Sequence, residues 1–238
     1  MTNRRQLLKS IPAAGAAGVF LALSGRQAVA EVPAMTREAQ QNMTPDQALA
    51  ALRAGNERFV KGKMFRRDLV AQVHATATGQ FPFAVVLGCM DSRVPPELVF
   101  DQGIGDIFSP RIAGNFANTD IIGSIEFATK LAGAKLVVVL GHTECGAVKG
   151  ACDHAQLGNL THTLSNIAPA VYAAKDIQGD RTSKNKAFVQ TVADENVRLT
   201  VKSLTNRSTV LRGLVAEHQL KVVGAMHDVG TGRVSFLG

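Results

Sequence analysis

Three residues with metal-binding side chains, Cys89, His142 and Cys145, each come at or just after the end of an apolar run of the kind that forms a buried strand. Phe83, Ala84, Val85, Val86, Leu87 and Gly88 lead into Cys89, and the run from Lys135 to Gly141 leads into His142, Thr143, Glu144 and Cys145. In an open α/β sheet, side chains just past the carboxyl ends of adjacent strands share one crevice, so groups distant in sequence can meet there. Two thiolates and an imidazole are a donor set suited to zinc, and a catalytic zinc keeps its fourth position for water or substrate. His142 and Cys145, three positions apart, can face one ion from a turn entering a helix, with Cys89 arriving from the neighbouring strand.

Asp91 separates a catalyst from a structural staple. Two residues past Cys89, its carboxylate can take the fourth zinc position and close the site, or it can pair with Arg93, whose planar fork matches a carboxylate. The second arrangement leaves the fourth position free and lets Asp91 accept a hydrogen bond from a zinc-held hydroxide. Two thiolates neutralise the charge of Zn²⁺, so the ion acidifies its water less than one held by three imidazoles, and further polar support is expected. The backbone N–H of Gly146, opening a helix directly after Cys145, is a candidate donor to a developing anionic oxygen. Two other readings remain: a zinc-stapled binding module without activity, and a metal-free redox or nucleophilic Cys89. Cys152, inside a helical run, reads as a small buried hydrophobe, and His74, His154, His162 and His218 as surface or cap residues.

The elements that must position these groups follow from periodicity and caps. Thr44, Pro45, Asp46 and Gln47 open a helix to Val60 with Ala48, Leu49, Leu52 and Phe59 on its apolar stripe. Strands are expected over Phe83–Gly88, Asp106–Ile112, Lys135–Leu140, Lys221–Ala225 and Arg233–Leu237. Between them lie a short helix from Pro95, a helix from Asn118 to about Leu131, one over Gly146–Cys152, and a helical stretch from Leu160 to His218. The alternation specifies an α/β fold, a central, mostly parallel sheet of four to five strands flanked by helices, in a single catalytic domain over residues 31–238.

Residues 1–30 read as an export leader. Arg4 and Arg5 precede an Ala- and Gly-rich apolar run from Ile11 to Leu23, and Ala28, Val29 and Ala30 form a small-residue cleavage site, the layout of a twin-arginine signal. A membrane anchor needs about 20 consecutive apolar residues, and Pro12, Gly15 and Gly18 interrupt a shorter run. The expected address is the periplasm or the exterior, with no stable membrane anchor after processing. The leader holds four of the 26 basic and none of the 19 acidic residues, so the formal charge falls from +7 to +3 without it, too small to argue for nucleic acid or membrane binding. Three cysteines in an exported chain would ordinarily suggest a disulfide. Zinc held by Cys89 and Cys145, loaded before a folded chain is exported, would protect both as thiolates.

With Cys89-Met-Asp91-Ser-Arg93 and His142-Thr-Glu-Cys145-Gly146 together, the chain resembles a β-class carbonic anhydrase from Thr44 to Leu237. The resemblance implies a zinc lyase on an α/β sheet, in which zinc-bound hydroxide converts CO₂ to bicarbonate and a proton, reversibly. Cys89, His142 and Cys145 would hold the metal, and Asp91 and Arg93 would form the dyad that opens or closes the site. A homodimer or homotetramer is implied as well. Gln80 matches a glutamine that reaches substrate in plant-like members, often across a dimer interface; as a plain residue before Pro82 it reads as part of a turn. Phe127 stands where those members carry Tyr, and Val86 where pH-switched members place a Trp in a bicarbonate pocket, so that switch is expected to be missing. His227, in Met226-His-Asp-Val, reads as a structural histidine with its hydrogen bonds met, with proton relay as the alternative.

Overall fold

The computed structural model describes residues 32–175 and 177–237. The expected leader lies outside the described residues. Five strands, β1 (Ala84–Gly88), β2 (Ile107–Phe108), β3 (Leu136–His142), β4 (Lys221–His227) and β5 (Val234–Leu237), form one sheet in the order β2-β1-β3-β4-β5. All neighbours are parallel except β5, which runs antiparallel to β4 along one edge. The helices are α1 (Arg37–Asn42), α2 (Pro45–Val60), α3 (Leu69–Thr76), α4 (Pro96–Val99), α5 (Thr119–Glu126), α6 (Gly146–Cys152), α7 (Gly158–Ser165), α8 (Ala168–Ala173), α9 (Lys186–Arg207) and α10 (Thr209–Ala216).

Both faces of the sheet are covered, which is why its central strands are apolar without alternation. Val85, Leu87, Val137 and Val139 point into one core with Val192 and Val197 of α9 and Val148 of α6. Ala84, Val86, Leu136, Val138 and Leu140 point into the other with Ala48 and Leu52 of α2 and the neighbouring Val99 and Phe100. Val86 is thus an ordinary core side chain. At the amino end of α2 the Thr44 side chain accepts from the Gln47 N–H while the Gln47 side chain accepts from the Thr44 N–H, a reciprocal capping box.

The second strand is much shorter than Asp106–Ile112. Pro110 has no N–H to continue the ladder, so β2 ends at Phe108, and pairing resumes only where Gly88 N–H donates to the Pro110 carbonyl and Ile112 N–H to that of Gly88. The helix expected to continue to Leu131 is α-helical through Glu126 and then widens into a π-helical turn over Phe127–Leu131. Strands β3 and β4 each extend two residues past their expected ends at Leu140 and Ala225, and those extensions pair His142 with His227. The long helical stretch after Leu160 is four helices, broken before Lys186 by a polar segment.

An ion cluster not foreseen from the sequence anchors the amino-terminal helices. Asp101, fully buried and at φ 49°, accepts from Arg58 Nε at 2.5 Å, from Arg67 Nη1 and from the Phe65 N–H at 3.2 Å. A buried carboxylate is tolerated because two guanidinium groups and a backbone donor replace its water.

Candidate metal centre

The register of β1 on β3 sets Gly88 beside Leu140, so Cys89 leaves the sheet level with the end of β3, where His142 sits. The chain then turns through Glu144, at φ 57°, and brings Cys145 back as the N-cap of α6. The ligand atoms of Cys89, His142 and Cys145 lie within 4.8 Å of one another, all buried, and the two sulfurs are 4.0 Å apart. Two sulfurs on one tetrahedral zinc, each at about 2.3 Å, stand roughly 3.8 Å apart.

The imidazole is oriented for ligation. His142 Nδ1 lies 2.9 Å from the Thr143 carbonyl, which can only accept, so Nδ1 carries the proton and Nε2 the lone pair. That Nε2 is buried without a hydrogen-bond partner. A buried, unpaired acceptor is costly unless something electron-poor meets it. The thiols point the same way. Donation from Cys145 pulls the Cys89 thiol down, with the Gly114 N–H and the Asp91 backbone adding to it against the opposing effect of burial. Cys145 is pushed up, first because it donates to Cys89 and then by burial. The donor set fits a soft divalent cation.

Asp91 stands beside this cluster without joining it. Arg93 Nε donates to Asp91 Oδ1 at 2.9 Å and Nη2 to Oδ2 at 2.7 Å, and the Arg93 N–H donates to Oδ1 at 3.0 Å. The fork holds the carboxyl well below the usual carboxylate range, with Arg93 the principal cause and burial opposing it. Oδ2 is 3.9 Å from His142 Nε2. Arg93 Nη2 also donates to the Glu144 carbonyl at 3.3 Å, tying the β1 loop to the β3 loop.

Three further residues shape the centre; of these Gly114 carries a sequence signal, a glycine just past an expected strand that lets backbone approach the site closely. Arg111 Nε and Nη2 donate to the carbonyls of Cys89 and Asp91, at 2.8 and 2.5 Å, and so fix the loop backbone between ligand and carboxylate. Gly114 N–H donates to Cys89 Sγ at 3.3 Å. Thr143 N–H donates to the His227 carbonyl at 2.9 Å, and the Thr143 hydroxyl accepts from Val229 N–H at 3.1 Å, joining the β3 loop to β4. Arg111 falls inside the run Asp106–Ile112 that reads as one strand, so nothing in the sequence points to its role.

The other candidates fall as follows. Gly146 is the first residue of α6, directly after Cys145, and exposed, and an added Cβ would meet nothing within 4 Å. Gln80 is exposed in the segment before β1, at the opposite end of that strand from Cys89, and one chain does not bring it to the cluster. Phe127 is exposed and packs edge-on against Phe108, with ring centroids 6.4 Å apart. His227 is not the satisfied structural histidine expected: it is 2% exposed, and neither ring nitrogen has a partner. Burial, the largest cause, pushes its pKa below the ordinary imidazole range. Cys152 is buried, and burial pushes its thiol up to about 11. His74, His154, His162 and His218 are exposed.

A doubly covered parallel sheet with a buried Cys₂His cluster at its strand ends, and an ion-paired carboxylate beside it, defines an α/β enzyme scaffold for small-molecule chemistry. Residues 84–234 match the carbonic anhydrase family. The chain is 37% identical over 198 residues to carbonic anhydrase 2 of Mycobacterium tuberculosis, covering 81% of this chain and 92% of that protein. It is 36% identical over 200 residues to a carbonic anhydrase of Mycolicibacterium smegmatis, covering 81% and 93%. Among solved structures, a tetrameric β-carbonic anhydrase of Sordaria macrospora superposes with a TM-score of 0.61 at 30% identity, over 70% of this chain and 89% of that one. The β-carbonic anhydrase CafA of Aspergillus fumigatus gives 0.62 at 28% identity, over 81% and 89%. The chain belongs to the carbonic anhydrase family, in its β class, and is a carbonic anhydrase.

Proposed function

We propose that this carbonic anhydrase is zinc-dependent, with Cys89, His142 and Cys145 as ligands and the Asp91–Arg93 pair holding the fourth position open to substrate. The carrying observation is the unpaired, buried His142 Nε2 facing two sulfurs 4.0 Å apart while both Asp91 oxygens are engaged by Arg93. Bound there, zinc supplies Lewis acidity that brings the pKa of water toward about 7 in the most favourable sites.

The residues of the chain do the rest. Asp91, kept ionised by Arg93, would accept a hydrogen bond from the O–H of the attacking oxygen and so turn that oxygen's lone pair toward CO₂. Arg93 keeps Asp91 off the metal by occupying both oxygens in a bidentate pair. Gly146 offers an N–H to the bicarbonate oxygen as negative charge builds on it. Gln80 would serve the substrate of a neighbouring subunit, which accords with its distance from its own cluster. A dimer or tetramer is supported by the tetrameric state named for the Sordaria relative. Export to the periplasm or beyond, with cleavage after Ala30, is supported by the paired arginines and the small-residue site.

Stopped-flow CO₂ hydration with metal analysis tests the central claim. One zinc per chain and activity lost in Cys145→Ser are expected; a Cys145→Ser protein as active as the parent would refute it. Sedimentation of the purified protein checks the oligomer, and amino-terminal sequencing of exported material checks the cleavage.

A further inference from the structure

We propose that a cavity behind the metal centre, between α8, α9 and the Phe116–Ala117 segment, is a second binding site for a small carboxylate-sized oxyanion. Its volume is about 230 Å³, enough for an anion of a few heavy atoms. Along α9, Asn196, Thr200, Ser203 and Arg207 recur at helical spacing and line it, a polar stripe on a helix whose other inward residues, Val192, Val197 and Leu204 among them, are apolar.

Two of these polar residues are deeply buried, Asn196 at 3% and Thr200 at 4% exposure. Several helical threonines close onto the preceding turn, as Thr191 does on the Ala187 carbonyl and Thr129 on that of Ile125. Thr200 and Ser203 make no such bond and have no protein partner among the described residues. Their hydroxyls are donors left for something in the cavity. Arg207 uses Nη1 on the Ala117 carbonyl at 2.6 Å and Nη2 on the Thr119 hydroxyl at 3.5 Å, which leaves Nε and a second hydrogen on each Nη with no protein partner among the described residues. No carboxylate lines the cavity among the described residues, so its field favours an anion. A planar oxyanion takes two hydroxyl donors and a guanidinium edge, the pairing that guanidinium groups favour.

The site is wired to the metal centre. Asn196 Nδ2 donates to the Gly114 carbonyl at 2.7 Å, and the N–H of the same Gly114 donates to Cys89 Sγ. An anion drawing on Asn196 would be felt two hydrogen bonds from the thiolate.

Titration of the zinc-loaded full chain with sodium acetate, at ionic strength held constant with sodium chloride, tests this by ¹H–¹⁵N NMR of the side-chain amides of Asn166 and Asn196. Saturable shifts at both amides are expected. In Arg207→Gln the half-saturating acetate concentration should rise roughly tenfold or more, the scale of a lost charge-assisted hydrogen bond. Ser203→Asp, which sets a carboxylate one helical turn from Arg207 and suits the helix, should raise it as much by occupying the guanidinium. No saturable shift in the parent, or an unchanged half-saturation in either variant, overturns the proposal.

Discussion

Gly114 gives the most direct test of how the metal centre is built, because its replacement by alanine can be worked out from the structure. Its φ of +83° lies in the left-handed region, and an added Cβ would stand 2.4 Å from Ile167 Cδ1 and 3.4 Å from Ala147 Cβ. The isoleucine end is flexible in principle, yet Ile167 is fully buried among core neighbours and has nowhere to turn. The left-handed backbone costs a residue with a Cβ about 1–2 kcal/mol. Forcing a methyl into a packed core costs about 1–3 kcal/mol more, so Gly114→Ala should lose about 2–5 kcal/mol. Any relaxation that spares the isoleucine moves the Gly114 N–H away from Cys89 Sγ. Disturbing a hydrogen bond to a ligand lowers metal affinity on the order of 10- to 100-fold. Urea unfolding at fixed free zinc, paired with zinc retention against a chelator, reads both effects, the fixed zinc being needed because bound metal itself adds stability. Gly213→Ala is the control: inside α10, with nothing within 4 Å of its added Cβ, it should gain about 0.5–1 kcal/mol. A Gly114→Ala protein within about 0.5 kcal/mol of the parent, the scale of an ordinary surface change, and with zinc affinity intact would refute the reasoning.

Arg111→Gln removes the fork on the Cys89 and Asp91 carbonyls, and should lower kcat/KM for CO₂ hydration about 10- to 100-fold while zinc stays bound, as expected of a residue that acts through the ligand loop; an unchanged kcat/KM would contradict that role. Metal removal should expose the asymmetry of the thiols: at pH 6, alkylation followed by mass spectrometry should label Cys89, which Cys145 and backbone donors pull down, faster than Cys152, which burial pushes up to about 11. Equal labelling of the two would count against it. Asp106 supplies a pH test. Burial raises its carboxyl above the usual range despite the hydrogen bond from Gly103 N–H, so between the unfolded value of about 3.9 and the higher folded one the native state binds more protons and stability falls as pH rises. Asp106→Asn keeps an acceptor for Gly103, and should flatten that part of the urea-midpoint profile; a profile identical to the parent's would show that Asp106 does not titrate there.

Much of the centre was legible because its signals are local. Cys89 and His142 come at the ends of runs apolar enough to be strands covered on both faces, and Cys145 follows His142 at a spacing that one turn can fold back. The capping box at Thr44 and Gln47 likewise sets the start of α2 within four residues. The elements that came out differently were decided by partners remote in sequence. Pro110 cuts β2 short because the ladder across from β1 lacks a donor there, and β3 and β4 run on to His142 and His227 because each supplies the other's edge. Apolar pattern cannot register a polar residue that a neighbouring strand keeps in the sheet.

What the sequence by itself determined is the inventory: three candidate metal ligands, a carboxylate two residues beyond the first, and an arginine two beyond that. Where Asp91 points was open in the sequence, since both zinc and Arg93 were within its reach. The tertiary structure decided it. Asp91 takes the guanidinium with both oxygens because Arg111 pins the Cys89 and Asp91 carbonyls and Arg93 is also tied to the Glu144 carbonyl of the opposite loop. Those bonds join residues some twenty to fifty positions apart, and they exist only when β1, β2 and β3 lie side by side.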